Sequence, residues 1–127
     1  MNSANYCFSI NSYKQGIHAL DICKKENILP ILYIKYHLID CLGVEWLLEL
    51  QRMIKKNKLS KNLEMYVDVM KNYGLFITLV EKKIKFIKLE AEDKILKRLE
   101  EIALLNKVLI NPNFSIVDLS RSKIFIS

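Results

Sequence analysis

Five short apolar runs alternate with four segments of helical periodicity along this chain, and that alternation constrains the fold more than any other feature. The runs are Tyr6 to Ile10, Ile31 to Tyr36, Leu63 to Val69, Ile84 to Leu89 and Val108 to Ile110, each rich in Ile, Val, Leu, Tyr or Phe. Between them lie stretches long enough for a crossover helix. Successive βαβ units follow, and with them an α/β fold: one layer of about five parallel strands with four crossover helices, as an open sheet or half-barrel.

A single domain over residues 1–127 is expected, with 51% hydrophobic residues to fill its core. The longest apolar stretch, Ile28 to Ile34, contains Pro30 and stops at Lys35, short of the roughly 20 residues of a membrane helix. No membrane span is therefore expected. The first five residues lack the basic start and apolar core of a secretory signal, and Cys7, Cys23 and Cys41 are odd in number and far apart. Both features point to reduced thiols and a cytoplasmic protein.

The formal charge is +6, but only Arg52, Arg98 and Arg121 among the twenty basic residues are Arg. Direct readout of nucleic acid favours the bidentate guanidinium, and no aromatic residues interleave with the lysines as a stacking platform would need, so nucleic-acid binding is not expected. Lys55, Lys56, Lys58 and Lys61 bunch at the end of the second helical segment. Lys82, Lys83, Lys85 and Lys88 run from the end of the third helical segment into the fourth strand. Lysines at helix C-termini complement the macrodipole and solubilise the turn.

Ser12 or Asn11 can cap a first helix from Tyr13 to Glu26, ended by Asn27. Asp40 is expected to cap a second from Cys41 to about Lys56, with Val44, Leu47, Leu48 and Ile54 on one apolar stripe and Trp46, Leu50 and Met53 on another. A short third helix spans about Asn72 to Lys83, and a fourth about Glu92 to Asn106. After the break at Asn111-Pro112-Asn113, Ile116 to Leu119 reads as one helical turn, and Ile124-Phe125-Ile126 as an extra C-terminal edge strand or a hydrophobic plug.

Ligands of parallel sheets bind outside the carboxyl ends of the strands. The candidates there are His37, Asp40 and Cys41 after the second strand, Asp68, Lys71 and Asn72 at and after the third, and Asn111 after the fifth. A thiol at a helix N-terminus with a histidine four residues earlier suits an activated Cys41, whereas its ordinary reading is a small residue of a first turn. His37, Asp40 and Cys41 are packed into one loop without the separated pairs of a zinc site, so no metal is expected. Asp68 with Lys71 can be an acid-base pair or a structural one. Gly16, Gly43 and Gly74 each fall in a first helical turn, but no G-x-G-x-x-G or P-loop pattern accompanies them, and no cofactor is expected.

The stretch from Ala19 to Pro112 resembles a family of small, uncharacterised bacterial α/β proteins. In that family a helix precedes a Pro-started strand, and a later strand ends in an Asp-Cys-Gly-Asp type turn. Ala19-Leu20-Asp21-Ile22-Cys23-Lys24-Lys25-Glu26-Asn27-Ile28-Leu29-Pro30 matches the first part; of the second, Tyr66 to Gly74 keeps Asp68 and Gly74, while Val69 and Met70 depart from the polar turn. A looser topological likeness exists to half of a (β/α)8 barrel and to anti-sigma-factor-antagonist domains. Neither resemblance implies an activity. The functional expectation is a module that binds a protein partner or forms a homodimer through Trp46, Leu50 and Met53 or through the tail at Phe125. The alternative is an enzyme or binding protein for a phosphate- or carboxylate-bearing small molecule at the strand ends.

Overall fold

The computed structural model describes residues 6–58 and 60–119. In chain order the elements are β1 (Tyr6–Ser9), α1 (Tyr13–Glu26), β2 (Ile31–Ile34), α2 (Tyr36–Lys58), β3 (Glu64–Met70), α3 (Tyr73–Glu81), β4 (Phe86–Leu89), α4 (Asp93–Leu105), β5 (Leu109–Ile110) and β6 (Ser115–Asp118). All six strands form one parallel sheet in the order β5-β4-β3-β2-β1-β6. Among the described residues no helix is long and apolar enough to cross a membrane.

Register sorts the strand side chains onto two unlike faces. Phe8, Leu32, Met65, Val67 and Ile87 belong to a large core that also takes Leu20 of α1, Leu47 and Ile54 of α2, Phe76 and Leu79 of α3 and Leu99 of α4. Cys7, Ile31, Tyr33 and Tyr66 point the other way, and among the described residues Phe86 and Phe114, not a helix, pack against them. All four helices therefore cover one face of the sheet.

The chain length between β5 and β6 shows that the sheet is curled. These strands stand at opposite edges, five inter-strand spacings apart, which is about 24 Å along a flat sheet. Ile110 and Ser115 are joined by five residue steps, at most about 18 Å. The edges must therefore approach one another, and the link crosses the helix-free, concave face. There the Phe114 ring packs edge-on against Phe86 at 5.0 Å and Tyr66 at 5.7 Å between centroids. The sheet is the open parallel one that the alternation allowed, curled, with β5 and β6 as its two edges.

Two local expectations are corrected. β2 stops at Ile34 and α2 begins at Tyr36, so His37, Asp40 and Cys41 lie inside a helix rather than in a loop, and Asp40 is not a cap. The carbonyl of Lys35 accepts the N–H of Leu38 at 3.1 Å and starts the turn. The helix is interrupted at Gly43, whose φ of 90° only glycine adopts freely, and this interruption resembles a start signal in the sequence. Second, Ser115 to Asp118 is a strand, not a helical turn; it pairs with β1 from Tyr6↔Ser115 to Ser9↔Asp118. A four-residue apolar run carries too little periodicity to choose, and the free edge of β1 decides it. The Ile124 to Ile126 segment and Phe125 lie outside the described residues.

Candidate functional site

At the carboxyl edge most of the polar side chains are held by backbone or by one another. Asp68 accepts the Tyr33 hydroxyl at 3.1 Å through Oδ2 and the Met70 N–H at 2.9 Å through Oδ1. A register shift at Asp68/Met70, with Met70 at φ 51°, brings that N–H back onto the carboxylate. Asn72 caps α3 by accepting the Leu75 N–H at 3.0 Å and donates to the Tyr36 hydroxyl, which in turn donates to Asp40. Asn111 clamps β4 to the sheet edge: its side chain accepts the Leu89 N–H at 2.8 Å and donates to the Leu89 carbonyl at 3.0 Å. Lys71, His37 and Cys41 are exposed. Among the described residues no group of three His, Cys, Asp or Glu side chains is placed to hold a metal ion.

The concave face gathers residues that the loop-by-loop reading passed over. Ser9, Tyr33, Tyr66 and Phe86 stand side by side in register, with Asp118 beside Ser9. Above that row Asp68 pairs in register with Lys88, and Lys35 makes an ion pair with Asp118 at 3.6 Å. The Lys88 ammonium lies 6.0 Å from the centre of the Tyr33 ring. Burial pushes the Tyr33 phenol up, and the adjacent Asp68 carboxylate adds to the shift, so the proton stays on Tyr33. The Cys7 thiol is likewise pushed up by burial, to about 12, with Lys88 opposing; it is an inert core thiol. Ser9 is fully buried, and its hydroxyl finds no hydrogen-bond partner among the described residues.

A signal for this row exists in the sequence. Tyr33-x-Lys35, Tyr66-x-Asp68 and Phe86-x-Lys88 repeat one pattern in three successive strands, an aromatic residue followed two positions later by a charge. Period-two alternation puts both on one face. Reading the loops after the strands missed it.

On the second helix, Leu50 is a core residue at 5% exposure and offers no surface to a partner, Trp46 is half-buried against the core, and Met53 is exposed. Among the described residues the most exposed apolar side chains lie on α4 instead. Leu104 is 69% and Leu105 86% exposed, and Leu109 on the neighbouring edge strand 47%. Leu104 and Leu109 flank a groove of about 290 Å³ floored by Ala103, Val108 and Ile110.

No family model matches this chain, and comparison with characterised proteins and with solved structures finds no match.

Proposed function

We propose that the protein is a small interaction module that works by binding rather than by turnover, and that it pairs with a second copy of itself through the α4–β5 edge. The observation that carries this reading is the groove beside Leu104 and Leu109. α4 is the outermost helix, β5 is a sheet edge with one open side, and so large an exposed apolar residue as Leu104 marks a contact surface. The engagement of Asp68, Asn72 and Asn111 with backbone groups supports structural roles at the strand ends. The thiols of Cys7, Cys23 and Cys41 are free, as suits a reducing compartment such as the cytoplasm.

Sedimentation velocity at micromolar concentration tests the proposal. A dimer is expected for the parent chain and a monomer for Leu104→Lys with Leu109→Lys; a parent chain that stays monomeric at high concentration refutes it. The buried Ser9 hydroxyl, without a hydrogen-bond partner among the described residues, favours a second reading, a small carboxylate- or phosphate-bearing ligand on the concave face next to Lys88. A rise in melting temperature with phosphate or citrate that Lys88→Met abolishes would support it.

A further inference from the structure

We propose that the amino-terminal edge of the sheet is a docking surface for an anionic phospholipid membrane, bound peripherally. The topology delivers the end of every helix to this edge, and ten lysines come with them: Lys24 and Lys25 from α1, Lys55, Lys56 and Lys58 from α2, Lys61 after it, Lys82, Lys83 and Lys85 between α3 and β4, and Lys107 before β5. Six acids, Asp21, Glu26, Glu64, Glu81, Glu100 and Glu101, share that end, so its ten lysines exceed them by four charges.

Helix dipoles do not account for this concentration. α1 and α2 carry lysines in their last turns, but α3 and α4 carry none there; their lysines sit beyond the helix. Lys83 and Lys107 occupy equivalent turns with φ of 63° and 60°, a conformation that glycine adopts without cost and a long side chain does not. Charge is placed at both turns against backbone preference.

The apolar residues exposed at the same edge choose between polyanions. Leu105 stands among Lys83, Lys85 and Lys107, Leu29 projects 46% exposed before β2, and Tyr6 opens β1. An aliphatic side chain among lysines, with a further leucine and a tyrosine exposed along the same edge, matches the boundary between headgroups and acyl chains. A nucleic acid would call for Arg and for several rings on which bases stack.

Co-sedimentation with vesicles of phosphatidylcholine, with and without about 30% phosphatidylserine, tests this, since each lysine near such a surface is worth about fivefold in affinity. Binding is expected only to the anionic vesicles and is expected to weaken as salt rises. The informative variant is Lys83→Gly with Lys107→Gly, which relieves both backbone turns and gives up only the exposed hydrogen bond from Lys83 to Asn106. It is expected to bind vesicles about 25-fold more weakly, and Leu105→Ser several-fold more weakly. Equal binding to neutral vesicles, no binding at all, or parent-like binding by the double glycine variant overturns the proposal. So does tighter binding, per phosphate, to a single-stranded oligonucleotide.

Discussion

Single residues hold this fold at places that carry no catalytic pattern. Asn111 supplies two hydrogen bonds to one backbone unit at an edge, so Asn111→Ala is expected to cost about 1–3 kcal/mol in chemical denaturation. Gly43→Ala forces a side chain into a φ of 90° and is expected to cost about 1–2 kcal/mol, with the loss read in the same way. Burial raises Cys7 from 9.0 to about 12, Cys23 from 9.0 to about 11 and Tyr66 from 10.0 to about 12. Each of these groups holds its proton more tightly when folded, so its contribution is complete below the unfolded pKa and is lost as pH rises through the folded one. Stability should therefore be flat across neutrality and fall between about pH 9 and pH 12, as urea titrations at stepped pH would show. A profile unchanged to pH 11 would contradict the burial of these groups.

At the scale of elements, local signals located most helices and the strand cores. Ser12 accepts the Gln15 N–H and Asn27 closes α1 in the left-handed region, which is why Tyr13 to Glu26 was legible in the sequence to the residue. α2 was not, because a broken helix with a glycine at the break looks like a loop followed by a cap. The close packing of α1 on α2 was equally hidden. A side chain at Gly16 would collide with Ile54 and press on Ile10, so Gly16→Val is expected to destabilise by about 2–3 kcal/mol despite sitting in a helix where glycine is intrinsically poor. A circular-dichroism melt of that variant no lower than the parent's would mean that the two helices stand further apart.

For the whole molecule, the parallel order followed from the spacing of runs and helices, whereas the curl did not. It depends on where β6 pairs, and that is set by the free edge of β1, which lies far along the chain from any local cue in Ser115 to Asp118. The same return places Phe114 on Tyr66 and Phe86, on the face that α1 to α4 leave uncovered. The candidate site suffered similarly: Asp68, Asn72 and Asn111 were found by type, but their backbone partners arise only on folding, and the row of Ser9, Lys35, Lys88 and Asp118 emerges once strand faces are aligned. The curled sheet is tested most directly by interstrand nuclear Overhauser effects in the isotope-labelled protein. Contacts between backbone protons of Phe8 and Val117, with ring contacts from Phe114 to Phe86, are the expected result. Helical sequential contacts from Ser115 to Asp118, with none to β1, would contradict it.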